Sequence, residues 1–119
     1  MQQLQIPPLL EGEIYVGATG DQHCNLYHVI LLSGDSDDAS HEKQLEWAKS
    51  IGGDLPTRIE QAMLWANFRD QFKKDWYWSN ETYERASGYA WHQYFDYGSQ
   101  SNNYVSSELR ARAVRRLPI

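Results

Sequence analysis

The densest concentration of hydrogen-bonding chemistry in the chain is HQYFDYGSQSNNY, residues 92–104, where tyrosines are interleaved with amide and hydroxyl side chains around a lone Gly98. Tyr offers a large contact area at low entropic cost, and Ser and Asn add adaptable hydrogen bonds, the mixture that paratopes use. The reading that follows is a recognition surface built from His92, Tyr94, Asp96, Tyr97, Gln100, Asn102, Asn103 and Tyr104. A protein is the expected ligand, with a glycan as the second class, since Tyr and Trp are enriched at interface hot spots. The structural alternative is a polar hairpin in which Gly98 and Asn102–Asn103 serve only as turn residues.

Other chemistries find less support. Nucleophilic catalysis needs a nucleophile beside a base. Cys24 follows His23, but strand neighbours face opposite ways, and Cys24 reads as a buried strand residue. His23 and His28 are five apart, which on one strand spoils a shared metal site, and a single Cys excludes thiolate-rich zinc. GDSDD at 34–38 offers oxygens to a cation, yet acidic residues ahead of a helix complement its macrodipole. No enzyme activity, metal or cofactor is therefore expected. A net charge of −5 opposes phosphate-driven nucleic-acid binding. The arginines at 110, 112, 115 and 116 are the local exception, and are read as partners of Glu11, Glu13 or Asp75, with Arg110 and Arg112 on one face and Arg115 on the other.

A chain of 119 residues with 41% hydrophobic and 23% charged residues suits one domain, taken as 1–119. The start, MQQLQIPPLL, has no basic n-region, and Pro7 and Pro8 interrupt its apolar run, so no signal peptide is expected. No segment reaches membrane-spanning length. Five Trp and eight Tyr stand against three Phe, a bias toward rings with a polar handle.

The elements that position these residues begin with two strands in EIYVGATGDQHCNLYHVILLSG around a turn at Gly20–Asp21, the second strand central. A helix follows, capped by Ser40, with Leu45, Ala48 and Ile51 on one stripe and Gly52–Gly53 as its stop. Thr57 and Glu60 form a T-x-x-E capping box for a second helix, with Ile59, Ala62, Met63 and Ala66 on one face, widened by Trp65, Phe68 and Phe72. DWYWSNETY and SGYAWHQYFDYG read as strands. RARAVRRL fits helix or strand by its spacing alone.

LPTRIEQ, YWSNE, AWHQYFDYG and RARAVRRL, in that order over 55–117, resemble the Lcl C-terminal domain family, whose fold is C-type-lectin-like. The resemblance implies an α+β fold with a small, mixed, mainly antiparallel sheet and two flanking helices, a closing strand over RARAVRRL, neighbouring termini, and core roles for Trp78 and Trp91. It implies carriage on phages or mobile elements, and a variable binding face in the region of residues 92–104, as in phage receptor-binding relatives. Gly53–Asp54 replace the Trp-Arg common before L-P-T, and the paired cysteines of some members are missing. The formylglycine-generating enzymes share the broader fold but need two reactive cysteines. C-type lectins that bind sugar through calcium use a proline-bearing carboxylate loop, which does not precede Trp78–Asn80. The expected setting is the host cytoplasm, where a small acidic protein would bind and block a host protein such as a defence component. A virion-attached adhesin is the alternative setting.

Overall fold

Asp21 organises the first hairpin. Its carboxylate accepts from the backbone N–H of His23 and Asn25 and from the Asn25 side-chain amide, closing a turn between strands β1 (Ile14–Gly20) and β2 (Leu26–Leu31). In the computed structural model, which describes residues 3–119, Cys24 sits in this turn at φ 65° and is exposed. The buried-strand reading of Cys24 is thereby corrected. The alternation that pointed to it begins only at Leu26, and His23 likewise belongs to the turn.

Beyond β2 come β3 (Ser36–Ala39), α1 (His41–Ser50), α2 (Arg58–Phe68), a short 3-10 turn at Arg69–Gln71, β4 (Trp76–Thr82), β5 (Tyr89–Tyr94), β6 (Gln100–Tyr104), β7 (Leu109–Ala111) and β8 (Val114–Pro118). They make an α+β fold with two sheets, ordered β1-β2-β8 and β3-β7-β4-β5-β6. Every pairing is antiparallel except β4 with β7. β2 is central in its sheet, as its two apolar faces require. GDSDD is not a simple helix lead: its last residues form β3, and Asp35 pairs with Arg110.

The helix caps behave as the sequence dictates. Ser40 caps α1, and Thr57 and Glu60 exchange both bonds of the capping box. The buried faces do so in part: Ala48 is buried, Leu45 packs on one core, and Met63, Trp65 and Phe68 pack on the other. In α2, Ile59, Ala62 and Ala66 are exposed and Met63 half-buried, while Glu60, Gln61 and Leu64 face inward. In α1, Ile51 is an exposed cap residue, and the inner positions are His41, Gln44 and Ala48. The physical reason is that the helices dock on the sheet through side-chain hydrogen bonds as well as apolar contact. Gln44 donates to the carbonyls of Asp37 and Leu109, and Gln61 donates to that of Tyr77. His41 Nε2 lies 2.8 Å from the Ser79 carbonyl.

Two apolar clusters fill the rest. Val16, Val29, Leu31, Leu64 and Val114 surround a stack of Phe72 on Phe95, with ring centroids 3.9 Å apart and Tyr77 edge-on to both. Trp78, Leu55, Ala90, Leu109 and Ala113 pack with Ala48 of α1.

RARAVRRL is strand, but split between the sheets: β7 joins the larger, β8 the smaller, and the chain turns at Arg112–Ala113. Simple alternation across the segment therefore fails, and both Arg110 and Arg112 are buried. Arg115 pairs with Glu13 as anticipated, at 2.8 Å. The others choose partners not foreseen. Arg110 meets Asp35 and Asp37, and Arg112 donates to the carbonyls of Leu32 and Gln71. Arg116 binds both oxygens of Glu60 and one of Asp54. Burial pulls the Arg116 guanidinium toward neutrality, but Glu60 and Asp54 more than offset this and hold it charged. Burial and Glu60 push the Tyr27 phenol, which donates to Glu60, up to about 12.

Because Glu60 is fully buried, Glu60→Ala removes both of its bonds to Arg116, leaves Asp54 as the one carboxylate on that guanidinium, and takes the acceptor from the Tyr27 phenol. We expect it to lower unfolding free energy by about 3–5 kcal/mol in urea titrations. The double change Glu60→Leu, Arg116→Met should be less damaging than Glu60→Ala, since it refills the buried volume and removes the guanidinium, and the Asp54 carboxylate that remains is partly exposed and still accepts from Asn80 and the Leu55 N–H.

Candidate functional site

The β5–β6 hairpin carries the residues singled out by composition, and its register separates them onto two faces. Residues directly opposite in an antiparallel ladder share a face, and neighbours alternate. Trp76 opposite Tyr94, Trp78 opposite His92, and His92 opposite Ser101 therefore look one way. Tyr77 opposite Gln93, Gln93 opposite Gln100, Trp91 opposite Asn102, and Tyr89 opposite Tyr104 look the other.

The first face is an aromatic ledge. His92, only 5% exposed, lies under Trp76 in a parallel stack at 5.1 Å, with Trp78 edge-on behind it. Trp76 meets Tyr94 at 87°, and Tyr94 meets Tyr97 at 79°. Edge-to-face contacts of this kind favour one mutual arrangement of the rings. Trp76 remains 39% exposed and Tyr97 78% exposed, so the ledge presents aromatic surface to solvent. Asp96 lies in the hairpin turn beside Tyr94. Burial, with Asp96, Tyr97 and Asp75 as further causes, raises the Tyr94 phenol above its ordinary value.

The second face is a cleft of about 460 Å³ between α2 and the hairpin, lined by Arg58, Ile59, Ala62, Trp65, Glu81, Gln93, Gly98 and Gln100. The Arg58 guanidinium lies 3.5 Å above the Trp91 ring and its Nε donates to Gln100 Oε1. Arg69 stacks on Trp65 at the other end, 4.3 Å from the ring. Trp91 is thus only half-buried, which corrects its expected core role; Trp78 has that role, fully buried. Gly98, at φ +81°, lies flat against the Trp65 indole, where a Cβ would collide with the ring.

The eight anticipated residues do not form one patch. His92, Tyr94 and Asn103 belong to the ledge side, and Asp96 and Tyr97 to the turn. Gln100, Asn102 and Tyr104 belong to the cleft side. Asn102 and Asn103 lie inside β6 and not in a turn. Asn103 accepts from the Tyr104 backbone and the Ser107 hydroxyl, a local structural role. Tyr104 is 58% exposed and leans on Tyr89, with centroids 4.6 Å apart. Composition missed Trp76, Arg58, Trp65 and Gln93. Only strand alternation through β4 could have flagged Trp76, while the α2 residues join the site by docking.

Compared with known proteins, the chain matches no family model and no curated protein sequence.

His41 and His92 are both buried, and desolvation lowers both from the ordinary value of 6.5. A lowered folded-state value means that the unfolded chain binds the proton more readily. The stability contributed is therefore complete above 6.5 and is lost as pH falls from there through the folded values. We expect the thermal midpoint to decline on acidification across this window, and His92→Phe, which keeps the stack on Trp76, to flatten part of that decline in a series of melting curves.

Proposed function

We propose that this domain acts by binding a protein partner, without catalysis, and that the aromatic ledge of Trp76, Tyr94 and Tyr97 with Asp96 is the contact surface. The observation that carries this reading is a set of rings packed edge-to-face yet open to solvent. Rigid Tyr and Trp side chains lose little entropy on contact and supply the anchors that dominate interface energetics. His92 supports the surface from beneath as a positioning residue.

A C-type-lectin-like fold related to Lcl C-terminal domains belongs to the same proposal. What supports it is the spatial convergence of the resembling motifs. Leu55-Pro56-Thr57 leads into α2, the Asn80 N–H of β4 donates to the Pro56 carbonyl, and the arginine-rich strand closes against β2. A small acidic protein from a phage or mobile element that occupies and blocks a host protein is the setting this resemblance favours.

Affinity capture from a candidate host lysate, with quantitative mass spectrometry, tests the surface. A partner captured by the wild type should fall at least about tenfold with Trp76→Ala, Tyr97→Ala, a loss of about 1.4 kcal/mol or more, while the circular dichroism melt shows that the variant remains folded. Equal recovery of the same proteins by both forms would refute the ledge.

A further inference from the structure

We propose that the opposite face of the hairpin is a second site, which takes an extended peptide as an added strand along β6, with a peptide carboxylate entering the cleft toward Arg58 and Gln93. This rests on the cleft and the strand edge and is independent of the ledge.

The hydrogen-bond network dictates what the cleft lacks. The Arg58 Nε can only donate and the Arg58 carbonyl can only accept, so the Gln100 amide has one orientation, with Oε1 toward Nε and Nε2 toward the carbonyl. Gln100 Nε2 also donates to Gln93 Oε1, which fixes Gln93 in turn. Gln93 Nε2 is left as a buried donor with no partner, on a side chain only 1% exposed that lines the cleft. Buried donors are seldom left unpaired. A ligand that satisfies this one must bring an acceptor, which in a peptide is most often a carbonyl or carboxylate oxygen.

Charge points the same way. Among the described residues neither Arg58 nor Arg69 has a carboxylate within ion-pair distance. Each is instead held on a tryptophan, so two guanidinium groups flank the cleft in an otherwise acidic protein. The acids that face Arg58 are already engaged: Glu81 accepts from the Arg58 backbone N–H at the start of α2, and Glu84 accepts from Trp91 Nε1. A sugar has no open ring to stack on here, since Arg58 covers a face of Trp91, and Gly98 and Arg69 lie against Trp65.

The strand edge supplies the remaining recognition. β6 is the last strand of its sheet. Val105 N–H donates to the Gly88 carbonyl and Tyr94 N–H to that of Ser99. Those bonded pairs put Ser101 and Asn103 in register as bonded pairs too, so the backbone groups of Gln100, Asn102 and Tyr104 point outward. Tyr104 is satisfied locally, its N–H by Asn103 and its carbonyl by the Ser107 N–H. Gln100 and Asn102 are open among the described residues. Natural edges are usually blunted by Lys, Pro or inward charge. QSNNY has none of these. An added strand would bond to Gln100 and Asn102, and alternate side chains would reach the cleft beside them.

The test uses a yeast-displayed library of short random peptides sorted on the intact domain. Enriched peptides should share an Asp or Glu within a β-forming run. A synthetic copy of one should shift the backbone amide signals of Gln100 and Asn102 and the side-chain amide of Gln93 in an ¹⁵N spectrum. Asn102→Pro removes an outward N–H without touching the ladder to β5, and Arg58→Gln removes the charge. Each should weaken binding at least about tenfold, while Tyr97→Ala leaves it unchanged. Methylating alternate backbone nitrogens of the peptide should abolish binding with the domain unaltered, which keeps the test decisive should the proline variant not fold. No enrichment, peptides without a carboxylate, or binding that survives both methylation and Arg58→Gln would overturn the proposal. Peptides that lose binding with Tyr97→Ala instead would overturn this site while leaving the ledge standing.

Discussion

The ion pair between Arg116 on β8 and the fully buried Glu60 on α2 is the constraint from which the rest of the architecture follows. A desolvated carboxylate is tolerable only when its lone pairs are met, and here Arg116, Tyr27 and the capping-box N–H of Thr57 meet them. Asp54 extends the network by accepting from Arg116 and from Asn80 of β4. One cluster thereby ties together β2, β4, β8 and the first turn of α2. The two sheets hold a common orientation because their shared segment, 109–118, is anchored at each arginine.

With α2 placed by that network, both faces of the hairpin acquire their character. Arg58 is two residues from Glu60, and the Glu81 carboxylate holds its N–H, so its guanidinium can lie over Trp91 and organise Gln100 and Gln93. Without α2 the cleft side of β5 would be an exposed row of Trp91 and Gln93. The ledge depends instead on β4, which brings Trp76 against His92 and Tyr94. A single hairpin thus presents two chemically different surfaces, aromatic on one side and donor-rich on the other.

Periodicity identified both helices and most strands because caps and turns are local chemistry. Ser40, the Thr57–Glu60 box and Asp21 act within four residues of themselves. It placed the inner faces of both helices only in part, finding Ala48, Met63, Trp65 and Phe68 but not His41, Gln44, Glu60 and Gln61, whose burial is offset by sheet carbonyls and an arginine far along the chain. An apolar stripe was sought where the docking is apolar and polar together. β3 and β6 were overlooked for a related reason: SDDA and QSNNY have little β propensity, and each becomes a strand by pairing with a neighbour already in place.

The sequence by itself determined the helix starts, the central position of β2, the strand character of DWYWSNETY and SGYAWHQYFDYG, and the concentration of tyrosine, amide and hydroxyl side chains in residues 92–104. Each of these follows from side-chain type and short-range spacing. Tertiary structure alone decided that RARAVRRL divides between two sheets, that its arginines find Asp35, Asp54 and Glu60, and that Trp76 and Arg58 stand on opposite sides of the same hairpin. Those outcomes depend on which groups meet after leaving water, and a buried charge or amide takes whichever partner the packing brings within hydrogen-bonding distance, however remote in the chain.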